Sequence, residues 1–200
     1  MKKILFPILT LILGLVLSGS GCCTDALDPD VYDEGVKIGD LTWATRNVGE
    51  PGKFAATPED VGMYYQWNVR TGWPASGPFA GMPTTPSISS KWEAKNNPCP
   101  TGWEVPTFAQ VEKLYDATKT MGTLEGVNGA YFGTAPDRIF LPVTGYVWYG
   151  AVNAETCGYY FSSNPVGDDY AYGFEFSGTF LKGGGYTKIA ASPIRCVKKS

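Results

Sequence analysis

The rhythm of apolar and polar positions changes along this chain, and each rhythm predicts a different element. VKIGDLTWATRNV, at 36–48, reads as a hairpin: an apolar run, a Gly39-Asp40 turn, then Leu41-Thr42-Trp43-Ala44. GMYYQWN, at 62–68, is aromatic and short enough for a buried strand. The stretch 50–60 is a Pro- and Gly-bearing loop. A long run rich in Pro, Gly and Ser follows at 69–97, with Trp73 and Trp92 embedded in it. So long a loop in a compact domain is either functional or a packed Ω-like excursion.

The period shifts at NPCPTGWEVPTFAQVEKLY, 97–115. Pro98, Pro100 and Pro106 fix φ and withhold backbone donors, which predicts a defined loop. Thr107 is a good N-cap, and Gln110 three residues on completes a capping box. Phe108, Val111, Leu114 and Tyr115 fall on one helical face, with Glu112, Lys113 and Asp116 opposite. This predicts one main helix over about 107–120, with Gly122 as its terminator. Strands follow. RIFLPVTGY at 138–146 ends in a Gly turn, and 147–150 continues it or turns back. CGYYFSSN at 157–164 is another strand, and Tyr172, Phe174 and Phe176 alternate with period two. Gly183-Gly184-Gly185 reads as a hairpin turn rather than a phosphate loop, since no Lys-Ser/Thr or helix follows it. The last strand is 194–197. A hairpin, long loops, one helix and then strands make a strand-rich α+β pattern.

Composition narrows the picture. Two hundred residues suffice for one domain with a real core, and 14% aromatic with 18% charged residues argues against disorder. The net charge of -3 and the lack of a basic patch exclude nucleic acid as a partner class. The chain has no histidine, which removes the commonest general base and the commonest zinc ligand. That weighs against an enzyme.

The first residues carry an address. Lys2 and Lys3 precede an apolar run from Ile4 to Leu17, then small residues, which is the layout of a secretory signal. The run is shorter than the roughly 20 residues that span a bilayer. The Gly21-Cys22 junction resembles a bacterial lipobox, although Gly19 stands where a large apolar residue is usual. Residues 1–22 are therefore expected to be a lipoprotein signal, with Cys22 lipidated and Cys23 the competing acceptor. Residues 23–35 are expected to be a flexible acidic tether, and 36–200 the folded domain.

Six motifs then occur in one order: LTWATRNVG at Leu41, MYYQWN at Met63, NPCPTGWEVPT at Asn97, IFLPVTGY at Ile139, GYYFSSN at Gly158 and IRCVK at Ile194. Together they resemble the Fibrobacter succinogenes major paralogous domain, a family of bacterial extracytoplasmic lipoprotein modules. The GWEVPT element also resembles one in formylglycine-generating enzymes, and both groups imply a C-type lectin-like fold. Cys99 and Cys196 sit in two of the shared motifs, and the envelope the resemblance implies is a place where disulfides persist. The expected bridge ties the loop before the helix to the last strand, worth about 4 kcal/mol in the chain-entropy model. Two separate thiols are the alternative. Cys157 is either left over or the partner of Cys196, and with Cys22 lipidated the remaining cysteines allow three pairings. Formylglycine-generating chemistry needs a copper-holding cysteine pair, for which the C-terminal region offers only Cys157 and Cys196.

Two kinds of binding chemistry remain. Asn164-Pro165 with Asp168 and Asp169 puts oxygen donors close together, and Asp28, Asp30 and Glu155 are other oxygen donors, so calcium is the one cofactor to consider. NPVGDD also reads as an exposed turn. Trp73, Trp92, Trp148 and Tyr149 lie in loops, where flat aromatic faces stack on sugars, whereas Trp43, Trp67 and Trp103 read as core. Packing beneath the long loop is the alternative for the loop aromatics. The expectation is a non-enzymatic, membrane-anchored envelope lipoprotein that recognises a glycan or a cell-surface protein. The competing reading is a structural subunit of a surface assembly.

Overall fold

The computed structural model describes residues 28–153 and 156–199. The expected signal segment, Cys22, Cys23 and Glu155 lie outside the described residues.

Strands β1 (Val36–Ile38) and β2 (Leu41–Asn47) form the expected hairpin, with Ile38 opposite Leu41 and Gly39 turning at φ +63°. β3 (Met63–Gln66) is the aromatic strand. The long loop contains β4 (Gly72–Pro74), which pairs antiparallel with β3. β5 (Trp103–Glu104) leads into α1 (Phe108–Glu112), the one α-helix among the described residues. The chain then runs through β6 (Lys119–Leu124), β7 (Val127–Thr134), β8 (Asp137–Pro142), β9 (Tyr146–Trp148) and β10 (Ala151–Asn153). It ends in β11 (Gly158–Val166), β12 (Tyr170–Phe176), β13 (Leu181–Thr187), β14 (Ala191–Ser192) and β15 (Arg195–Lys198).

The strands make four antiparallel sheets, ordered β1-β2-β15-β5, β10-β9-β14-β3-β4, β11-β12-β13 and β6-β7-β8. The first two join early and late segments, so the two ends of the domain are hydrogen-bonded to each other. Among the described residues the architecture is mostly β with one short α-helix.

The capping box is present: Thr107 accepts from the Gln110 N–H, and the Gln110 side chain accepts from the Thr107 N–H at 2.7 Å. The helix is nonetheless five residues long, not the span 107–120 expected. Beyond Glu112 the chain runs on in tighter i→i−3 turns to Ala117, and KTMGTL at 119–124, rich in the poor helix formers Thr and Gly, gains a complete ladder by pairing with β7. Gly122 is accordingly no terminator. It sits mid-strand, opposite Gly129.

The triple glycine is no hairpin turn either. Gly183, Gly184 and Gly185 lie inside β13, opposite Phe174, Gly173 and Tyr172. A Cβ on Gly183 would come within 2.2 Å of the Tyr115 hydroxyl and 2.6 Å of the Phe108 ring. The glycine lets the helical segment lie close on the sheet. Phe108 also stacks on Tyr172 at 4.5 Å, and the Asn164 Oδ1 accepts from the Phe108 N–H at 2.7 Å.

Part of the segment expected as a tether, 28–35, is bonded to the domain. The buried Asp33 carboxylate accepts from Gly35 N at 2.8 Å, from Thr45 Oγ1 at 2.8 Å and from the Thr45 N–H, and pairs with Arg46. Those bonds fasten the segment to β2.

Trp43, Trp67 and Trp103 are buried as expected. Cys99 and Cys196 form the disulfide with Cα atoms 6.1 Å apart, and Cys157 is unpaired and half-buried. Arg195 is fully buried: Nε donates to Asn47 Oδ1 at 2.9 Å, and its terminal nitrogens donate to the carbonyls of Ala44, Thr45 and Phe140. Burial lowers its pKa to about 10, so it stays cationic at neutral pH. One guanidinium thus links β2, β8 and β15. No helix among the described residues is long and apolar enough to cross a membrane.

Candidate functional site

Aromatic side chains from β9, β11 and β13 converge on a groove of about 400 Å³. Tyr159 is its buried floor. Tyr146 meets Tyr159 at 5.0 Å between ring centroids, and Tyr186 stands edge-on to it at 4.4 Å. The order follows from the strand ladder: Tyr159 and Tyr186 share a face of the sheet, either side of β12. Trp148 is 39% exposed and Tyr170, at the rim, 50%. The volume falls within the range of about 300–1,000 Å³ usual for ligand sites.

The electrostatics are mild. Among the described residues Glu175 is the one charged side chain lining the groove, and its carboxylate pairs with Lys182 Nζ at 2.6 Å. That hydrogen bond holds the Lys182 pKa above its ordinary value. Burial, chiefly, pushes the Tyr159 and Tyr186 phenols well above theirs, so both hydroxyls are neutral at physiological pH. The groove therefore offers flat apolar faces, neutral hydroxyls and a compensated carboxylate.

Trp148 leads into the β9–β10 turn. Trp148 pairs with Ala151, which leaves Tyr149 and Gly150 as a two-residue loop, with φ +49° and +76°. Both central residues at positive φ is the pattern of a type I′ turn, which ordinarily takes Asn-Gly or Asp-Gly. Tyr149 occupies the strained position with its ring 76% exposed, tilted against Trp148 at 5.0 Å.

The aromatics expected to bind together are dispersed. Trp148 and Tyr149 are adjacent and exposed. Trp73 is 7% exposed, its ring covered because β4 lays it opposite Tyr64, and its Nε1 is directed at the Ala80 carbonyl. Of the two readings for Trp73, its burial fits packing beneath the long loop and not a solvent-facing ligand contact. Trp92 is half-buried against Trp67 at 5.7 Å and donates to the Asn96 carbonyl at 3.0 Å. It borders a separate depression of about 200 Å³ with Glu93, Glu104 and Lys199.

Asp168 and Asp169 lie in the exposed β11–β12 turn, and Asn164 is engaged with the helix end. No group of three or more His, Cys, Asp or Glu that could hold a metal occurs among the described residues. Sequence reasoning missed Tyr146, Tyr159, Tyr170, Tyr186 and Glu175. The alternation at 170–176 exposed the sheet, but nothing in it tells which face meets β9.

No family model, no curated protein and no solved structure matches this chain.

Proposed function

We propose that this chain is a non-enzymatic cell-envelope lipoprotein whose domain recognises a neutral glycan through the Trp148 groove. The observation that carries this reading is the exposed Trp148 beside a groove of converging aromatic rings and neutral hydroxyls. Aromatic faces bind the C–H surfaces of sugar rings while hydroxyls exchange hydrogen bonds with them. Glycoside hydrolysis uses two carboxylates across the bond, and among the described residues the groove presents one, already paired with Lys182. The sequence of the first residues supports anchoring through Cys22 at the outer membrane, on its periplasmic or outer face. The Cys99–Cys196 bridge accords with an oxidising compartment. The resemblance to the Fibrobacter succinogenes major paralogous domain and its lectin-like architecture points the same way. We assign no cofactor. Calcium at Asp168 and Asp169 is the alternative that chelation tests.

A second reading, an accessory subunit of a surface assembly, draws on β6 and β13, which are sheet edges available to another strand. A glycan array probed with the full chain, with and without chelator, separates the readings. The expected result is saturable binding of neutral glycans that survives chelation. Binding lost on chelation moves the site to Asp168 and Asp169, and a blank array favours the subunit.

A further inference from the structure

A second, smaller depression of about 280 Å³ is lined in part by residues next in sequence to those of the groove. Two pairs of neighbouring residues separate the hollows: Trp148 and Ala190 line the first, Tyr149 and Ile189 the second. The wall between them is the exposed, mutually tilted Trp148–Tyr149 pair. The far side of the second hollow is Phe79, Met82 and Thr84, from the long loop.

This hollow is held in shape from beneath. The buried Gln66 Nε2 donates to the Pro83 carbonyl at 2.8 Å and to the Ile189 carbonyl at 2.7 Å, one on each wall. Phe79 packs edge-on to Tyr64 at 6.0 Å. No charged side chain lines it among the described residues. At 280 Å³ it falls just short of the range of about 300–1,000 Å³ for independent ligand sites. It fits better as a continuation of the first hollow.

We infer that the ligand is an extended neutral oligosaccharide that crosses the Trp148–Tyr149 ridge, with one end in each hollow. This rests on the glycan reading above and goes further, to chain length and charge. Trp148 serves the groove, and Tyr149 supplies the next stacking face. The strained backbone at Tyr149 fits this role, because an exposed aromatic stands where the turn itself favours Asn. Glu175 is paired to Lys182, and among the described residues no cation lines either hollow to neutralise a sulfate or uronate.

The test is calorimetric titration of the full chain with β-1,4-linked glucose and N-acetylglucosamine ladders, from mono- to hexasaccharide, and a polyuronate ladder as the charged counterpart. Variants are Trp148→Ala, Tyr149→Asn and Thr84→Arg, the last filling the second hollow from an exposed position. We expect affinity to rise with length on a neutral ladder. Tyr149→Asn and Thr84→Arg should each weaken the long members about tenfold, roughly one stacking contact, and leave the short ones unchanged. Trp148→Ala should weaken every length. Length-independent affinity, equal losses for short and long sugars in Tyr149→Asn and Thr84→Arg, or preference for the polyuronate would overturn this inference alone. Binding indifferent to Trp148→Ala, or no binding on any ladder, would overturn the groove reading with it.

Discussion

Tyr149 combines an exposed aromatic side chain with a left-handed backbone. A type I′ turn takes Asn at its first central position with little strain, whereas a tyrosine there bears a left-handed backbone penalty. Tyr149→Asn should therefore stabilise the domain by about 0.5–1 kcal/mol, the lost Trp148 contact offsetting part of the gain. Chemical denaturation measures it, and a destabilised variant would count against the strain. Arg195 is the opposite case, a buried cation on which strands depend. Arg195→Met should cost about 3–5 kcal/mol, because it leaves the Asn47 side chain and three carbonyls without their donor. Denaturant midpoints at constant slope read that loss directly. At this scale the sequence was informative where a residue's neighbours are local. Trp148 beside a predicted turn could be picked out as an exposed aromatic. Trp73 could not be told from it, because its burial comes from pairing with Tyr64 across a turn. Tyr159 and Tyr186 were opaque too, since their meeting depends on a third strand between them.

At the scale of elements, local chemistry was legible and tertiary preference was not. The capping box marks the start of α1 in the sequence. The chain leaves the helix through i→i−3 turns and enters β6, whose pairing with β7 no amphipathic count over 108–116 reveals. The triple glycine is the sharper example. Its residues suggest a turn, but a strand accepts them because α1 and Tyr115 need the room above Gly183. Gly183→Ala should accordingly destabilise the protein by about 1–3 kcal/mol through overpacking against Phe108 and Tyr115. Gly184→Ala, whose Cβ meets nothing nearer than 3.8 Å, serves as the control and should be nearly silent. Equal thermal melts for the two variants would contradict the close docking of α1.

The whole molecule is closed by contacts between distant segments. The disulfide joins cysteines 97 residues apart, and its removal through Cys99→Ser with Cys196→Ser should cost about 4–5 kcal/mol. Denaturation of the bridged and bridgeless chains, both in reductant-free buffer, gives the difference. Buried phenols add an alkaline limit. Burial raises Tyr160 from 10.0 to about 12 and Tyr115 likewise to about 12. A phenol whose pKa is higher folded than unfolded binds more protons in the folded state, so the folded state loses stability as pH climbs. That contribution is complete below about pH 10 and is lost as pH rises through about 12. Thermal melts across that window, alongside ultraviolet absorbance of the phenolates, should show the midpoint falling as the buried tyrosines ionise. The strand-rich class was readable because hydrophobic period is written along the chain, whereas the disulfide was expected only from the motifs that hold Cys99 and Cys196, with other pairings open. The groove was not readable, since it arises where separate sheets meet.

The most direct measurement of the central claim is saturation binding of one array-positive neutral glycan by four full-length proteins. These are the native chain and its Trp148→Ala, Trp92→Ala and Trp73→Ala variants, each first shown to melt as a folded protein. The groove account predicts affinity reduced at least about tenfold in Trp148→Ala, with the other two close to native. Native affinity in Trp148→Ala, with the loss in Trp92→Ala instead, would place recognition at the Trp92 depression and contradict it.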